Sequence, residues 1–237
     1  TGGTSISATQ TATDHAVNTT ATHGAMALTG SASTTAVTAI QSAAATANAA
    51  VEAAAGTAAE AAVRGVVNGA VTIADASAGT AVANTISEVT ITNAAAATVD
   101  SNALATLNLS GTITGVDAQN TSTAATAAVT TLALNVDDLT ATGTVIADDE
   151  VTTLNIAGSN AASTIAVIEA SGITTLNSTG SANVTLTDST DLTALTDVNV
   201  TGTGGLSLGS AIGVAVDFDG GAGNDAVTLT TGFTAGI

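Results

Sequence analysis

One short motif, an apolar residue followed by Asn and then a second apolar or small residue, returns along the second half of the chain at nearly even spacing. It stands as Leu107-Asn108-Leu109, Leu134-Asn135-Val136, Leu154-Asn155-Ile156, Leu176-Asn177-Ser178 and Val198-Asn199-Val200, at intervals of 27, 20, 22 and 22 residues. A second apolar pair, Val184-Thr185-Leu186 and Leu206-Ser207-Leu208, is also 22 apart. Alternation of period two marks half-buried strands. Self-similarity at this spacing marks coils that stack. If equivalent residues lie about 4.8 Å apart along a stack, the Leu, Val and Ile positions form inward columns. The Asn positions form an outward or corner column able to hydrogen-bond as a ladder, or are simply tolerated outward polar residues. The expected fold is therefore all-β, a right-handed parallel β-helix with coils of about 18–22 residues.

Composition supports a narrow interior. The chain is 45% hydrophobic but only 1% aromatic, and it has no Trp, Tyr, Cys or Pro. Its apolar content is mostly Ala and Val, which suits thin stacked coils better than a globular core. Val71-Thr72-Ile73 and Val89-Thr90-Ile91, 18 residues apart, read as equivalent strands of successive coils, and 34–40 reads as an earlier strand. The interval of 27 is assigned to a polar loop over 116–128. Residues 1–30 read as an irregular lead-in, 31–216 as the β-helix, and 217–237 as the start of a β-roll. Within the β-helix, 43–64 is an Ala-rich insertion, helical or looped. Glu60 precedes Arg64 by four residues, a favourable helix pair, and Gly65 is placed to end that helix.

Charge excludes several partners. One cation, Arg64, against 19 acids gives a net charge of −18. Such a surface cannot neutralise phosphates, so nucleic acid and anionic membranes are not expected; no apolar run reaches the length needed to cross a bilayer, so direct membrane insertion is not expected either. Fourteen acids are Asp and five are Glu, placing most carboxylates in turns. Asp137 with Asp138, Asp148 with Asp149 and Glu150, and Asp188 with Asp191 each follow a strand motif. Corners of stacked coils could converge such groups on calcium, which takes six to eight oxygens; solvated turn acids are the plainer alternative. His15 and His23, the only histidines, read as exposed loop residues, since two nitrogens without a third ligand do not define a zinc site. No enzyme is expected. The chain lacks a nucleophile elbow or phosphate loop, and paired carboxylates on a narrow solenoid would have no apolar cleft to raise a pKa. The T-x-T pairs Thr90/Thr92, Thr112/Thr114, Thr185/Thr187 and Thr228/Thr230 suggest a hydroxyl face for ice or surface binding, but their irregular intervals argue against a continuous one.

Near the end stands Asp217-Phe218-Asp219-Gly220-Gly221-Ala222-Gly223-Asn224-Asp225-Ala226-Val227. Its G-G-x-G-N-D core reads as the calcium-binding nonapeptide of parallel β-rolls. Glycines let the backbone turn and aim carbonyls inward, while Asp217, Asp219 and Asp225 add carboxylates; Gly221, Gly223 and Asn224 complete the candidate set. A plain turn is the alternative. With coils of two nonapeptides, the coil expected to stack on Gly220 would begin just past Ile237.

Several stretches together resemble the C-terminal lattice-forming region of RTX-type bacterial surface-layer proteins of the Caulobacter kind. They are Thr29-Gly30 through Thr35-Ala36-Val37-Thr38, Val67-Asn68-Gly69-Ala70-Val71-Thr72-Ile73, Thr106-Leu107-Asn108-Leu109-Ser110-Gly111-Thr112, Thr153-Leu154-Asn155-Ile156-Ala157-Gly158-Ser159 and the 220–225 loop. The resemblance implies a secreted structural protein that assembles with copies of itself into a lattice on the cell surface when calcium bridges its coils. The calcium role would fall on Asp219, Gly221, Gly223 and Asp225. The long 43–64 stretch and the single nonapeptide depart from the family pattern. A secreted RTX adhesin or biofilm-matrix protein on the same solenoid is the alternative.

Overall fold

The structure is a computed structural model describing residues 3–12, 21–42, 66–124, 129–146, 150–213 and 215–230. The expected 43–64 insertion, His15, Asp148 and Asp149 lie outside these. Among the described residues the fold is all-β, without a helix. The strands begin with β1 (Ser5–Thr11), β2 (Ala21–Thr22), β3 (Met26–Thr29), β4 (Ala36–Ser42), β5 (Val66–Val67) and β6 (Val71–Ala74). They continue with β7 (Glu88–Ala94), β8 (Ala97–Asp100), β9 (Thr106–Ile113), β10 (Val116–Gln119), β11 (Thr131–Ile146), β12 (Thr153–Ser159) and β13 (Ser163–Glu169). The last are β14 (Thr175–Gly180), β15 (Val184–Asp188), β16 (Asp197–Val200), β17 (Leu206–Ile212), β18 (Asp217–Asp219) and β19 (Ala226–Leu229).

Two faces run the length of this solenoid-like stack, and the described pairings are parallel. The first face is β1-β4-β7-β9-β11-β12-β14-β16-β18. The second is β3-β6-β8-β10-β11-β13-β15-β17-β19, with the long β11 crossing from one face to the other. Parallel strands need a crossover, and here the opposite face supplies it: each coil traverses both faces before returning one layer up.

Alternation decides which side chains fill the interior. Val37, Val89, Leu107, Leu134 and Ile156 align in register as one inward column. Leu132, Leu154, Leu176, Val198 and Phe218 form another. The third side is closed from the loops by Ile86, Leu104, Val151, Ile173 and Leu195, all buried. A fully buried Leu or Ile contributes about 1.5–3 kcal/mol, so even small coils accumulate a substantial apolar contribution through repetition.

Where the first face bends into the second, left-handed residues recur: Asn93 (φ 56°), Gly111 (φ 72°), Asp138 (φ 49°) and Asn160 (φ 52°). Asn, Asp and Gly are the residues that tolerate this conformation. The bends are stitched to one another. Asn93 Nδ2 donates to the Gln41 carbonyl of the coil below (2.7 Å), and the Thr112 N–H of the coil above donates to Asn93 Oδ1 (2.8 Å).

Several sequence expectations require correction. Residues 1–30 are not irregular throughout, because β1 pairs with β4 over seven residues and β3 with β6 over four. Val71-Thr72-Ile73 and Val89-Thr90-Ile91 are not equivalent: β6 belongs to the second face and β7 to the first. Both faces share one alternation, so the pattern cannot tell them apart. The 116–128 segment is not all loop, since β10 stacks on β8 before the chain leaves the sheet. Finally, Leu154 lies over Leu132 rather than Leu134, making that coil 22 residues instead of 20. A slip of two residues preserves which side chains face inward, so the apolar pattern is blind to it.

Candidate functional site

The glycine loop is the last of a column of corners. Gly180 (φ +99°) lies so close to the coil beneath that a Cβ would fall 2.1 Å from the Gly158 carbonyl oxygen. At Gly223 a Cβ would fall 2.5 Å from the Gly205 backbone nitrogen. From the middle of the chain to its end the bends therefore change from Asn and Asp types to glycine types, letting backbones approach closely. Asp225 ties this corner down: its Oδ1 accepts from the Leu206 N–H (2.8 Å) and its Oδ2 from the Gly221 N–H (3.0 Å). Asn183 does the same one coil earlier, accepting from the Gly205 N–H at 2.8 Å. The carboxylate thus already has a structural role, although its remaining lone pairs can still take a ligand.

Asp217 and Asp219 point outward from β18 and stack in register on Asp197 and Asn199 of β16. Beneath them runs an Asn ladder. Asn199 donates to Asn177 (3.0 Å) and Asn177 to Asn155 (2.7 Å), while Asn135 donates to Asn108 (2.8 Å) in a separate segment. The two segments are offset because β11 and β12 align Asn135 with Ala157. Asp197 accepts from the Thr196 hydroxyl at 2.6 Å.

The other acidic candidates are dispersed over the surface. Asp188 Oδ1 accepts from the Thr190 N–H (3.0 Å), the Thr190 hydroxyl (2.8 Å) and the Ser210 hydroxyl (3.0 Å). These donors, the Thr190 N–H foremost, hold its pKa below the ordinary carboxylate value. Asp191 lies exposed in the following turn. Glu150 borders a small cleft with Asn102, Asn120 and Val151. Asp137 accepts from Asn160 Nδ2 at 2.7 Å, and Asp138 occupies a bend. Among the described residues, no three His, Cys, Asp or Glu side chains come together as a metal-holding group. The described carboxylates thus stand in rows along the faces and corners.

Three groups lie outside the sequence expectations or depart from them. Asp75 is buried and caps the loop that follows it, its Oδ1 accepting from the Ser77 N–H (3.0 Å) and its Oδ2 from the N–H groups of Thr85 (2.6 Å) and Ile86 (2.8 Å). The Asp75-Ala76-Ser77 turn was its only local signal. His23 is buried, not exposed as expected, with Nε2 3.1 Å from the Ser42 carbonyl. Nearby, buried Gln41 accepts from the Gly69 N–H (2.8 Å) and donates to Gln10 (3.2 Å), closing the corner with polar contacts.

The third group is a run of outward hydroxyls on the second face. Thr112, Thr140, Thr164, Thr185 and Ser207 stack in one column across consecutive coils. The T-x-T intervals look irregular in sequence because Thr90/Thr92 lie on the first face, whereas Thr112, at the end of β9 past the Gly111 bend, stacks on Thr140 in the half of β11 that belongs to the second.

No protein-family model and no curated protein matches this chain.

Proposed function

We propose that this chain is a structural protein of a secreted, calcium-dependent bacterial surface layer, folded as a right-handed parallel β-helix that passes into the start of an RTX β-roll. Its work is self-assembly into a two-dimensional lattice with copies of itself. The observation that carries the reading is the placement of Asp217 directly over Asp197 on a chain of net charge −18. Like charges opposed on neighbouring strands cost a few tenths to about 1 kcal/mol, and the cost recurs wherever copies bring such rows together. Divalent cations remove it, which links calcium to both fold and assembly. The Asn ladder and glycine corners supply a stiff stack suited to a lattice unit.

Calcium titration followed by light scattering and electron microscopy tests this. Ordered sheets that form with calcium and dissolve in chelator, with a lowered melting temperature, are expected. An unchanged melting curve and intact arrays in excess chelator refute it. Isolated fibres instead of sheets would favour the adhesin or biofilm-matrix alternative.

A further inference from the structure

The small cleft beside Glu150 lies where the stack changes register. Leu104 and Val151 stand two residues ahead of β9 and β12, yet Thr106 of β9 pairs with Ala133 of β11, whereas Thr153 of β12 pairs with Thr131. The third-side column is therefore stepped by two residues between Leu104 and Val151, and the step leaves a hollow. Buried Leu104, Ala118, Leu132 and Val151 form its apolar base, while the more exposed Gln119, Asn120 and Glu150 form its rim. Below that rim there is room for about one methyl- or water-sized group.

One buried side chain on this cleft has an unmet hydrogen-bonding group. Asn84 and Asn102 hold each other, the Asn84 N–H donating to Asn102 Oδ1 (3.2 Å) and the Asn102 N–H to Asn84 Oδ1 (2.8 Å). A backbone N–H can only donate, so both side-chain oxygens are identified and both NH2 groups are left over. Asn84 Nδ2 is buried without a partner, and among the described residues Asn102 Nδ2 has none either. Asn102 is 8% exposed and lines the cleft. A buried amide donor left without an acceptor is costly, so an occupant that brings an oxygen to it is favoured.

We propose that this cleft binds the acetamido group of an uncharged N-acetylated amino sugar, a function beyond self-assembly and independent of it. The acetamido carbonyl accepts from Asn102 Nδ2, and its methyl covers the base formed by Leu104, Ala118, Leu132 and Val151. Gln119 and Glu150 supply side-chain acceptors at the rim for the acetamido N–H and the ring hydroxyls. The space below the rim is too small for a sugar ring, so the ring stays at the mouth. Glu150 and a net charge of −18 disfavour an anionic ligand, and an ammonium group, having only donors, would leave Asn102 unmet. Water would meet the amide but not the apolar base.

The full chain is titrated with N-acetylglucosamine, glucose and N-methylacetamide, followed by saturation-transfer difference NMR and by amide chemical shifts. A contact this small should hold N-acetylglucosamine in the millimolar range, with transfer strongest at its acetyl methyl. N-methylacetamide should shift the same backbone amides, those of Asn102, Ala118 and Val151, and glucose should shift none of them. Asn102→Asp keeps an acceptor for the Asn84 N–H but removes the donor, and Ala118→Leu fills the base. Each should weaken binding about tenfold or more. Thr164→Asp, which adds the same charge at an exposed position of β13, should bind as wild type. Circular dichroism shows whether the variants fold, and Ala118→Leu carries the test if Asn102→Asp does not. Glucose binding as well as N-acetylglucosamine, or transfer spread evenly over the ring protons, overturns the acetamido assignment. Silence at these amides with all three probes, or equal affinity in wild type and both cleft variants, leaves the cleft to water and overturns the site. None of these outcomes bears on calcium-driven assembly, which stands or falls by its own titration.

Discussion

Replacing Gly180 with Ala tests the corner column directly. The residue sits at φ +99°, where an L side chain is strained by about 1–2 kcal/mol, and its new Cβ would lie 2.1 Å from the Gly158 carbonyl oxygen. That oxygen is backbone, and it already accepts from the Ser181 and Ala182 N–H groups at 3.0 and 3.2 Å, so it cannot swing aside without breaking the stitch between coils. Overpacking of this kind adds about 1–3 kcal/mol. The sum is about 2–5 kcal/mol, which for a chain of this size lowers the melting temperature by roughly 4–20 °C. Gly213→Ala is the internal control, because its Cβ would meet nothing nearer than Val216 Cγ2 at 3.9 Å. That change should shift stability by no more than about 0.5 kcal/mol. Both are read by thermal and denaturant unfolding monitored by circular dichroism at one fixed calcium concentration. If Gly180→Ala is no more destabilising than Gly213→Ala, coils do not approach closely at this corner and the account of the glycine loop as its last member falls with it.

Other outcomes follow from the same geometry. Asn177→Ala removes the bonds to Asn155 and Asn199 and should cost about 1–2 kcal/mol in denaturant unfolding, whereas a loss near zero would make the ladder ornamental. Asp75→Ala strands the N–H groups of Ser77, Thr85 and Ile86 and should cost about 3–5 kcal/mol, with faster hydrogen exchange at Ile86 as its local signature. Asp188 has a folded pKa below its unfolded value. Its contribution to stability is therefore present above the unfolded pKa and lost as pH falls through the folded one. In an NMR titration Ser210→Ala should move that midpoint upward, and an unmoved midpoint would remove Ser210 from the cause.

Much of the architecture was legible because alternation and repetition act together. The Leu-Asn-Ile and Leu-Asn-Ser strands at Asn155 and Asn177 stand in register as their 22-residue spacing implies. The failures have physical causes. β1 was missed because Ser, Ala and Thr supply little apolar contrast, and Ile6 and Ala8, which pack against the core, are too few to mark a strand that pairs with β4 over seven residues. The offset at Asn135 escaped because parity fixes which face a side chain takes but not its partner. Of the candidate site, the sequence brought the 217–225 residues to attention but not the backbone donors that Asp225 meets. Those donors depend on what the neighbouring coil presents, and here Leu206 presents an N–H.

The corner near Ser42 has a consequence of another kind. Thr11 and Ser42 are in register at the ends of β1 and β4, and Ala21 and Val66 are in register at the starts of β2 and β5. Segments of very different length thus separate these pairs in the sequence, and the register on either side is kept. Such a corner works as a port: a foreign peptide or domain spliced there should leave the stack intact. If the chain forms arrays, the cargo would be displayed at the spacing of the array itself.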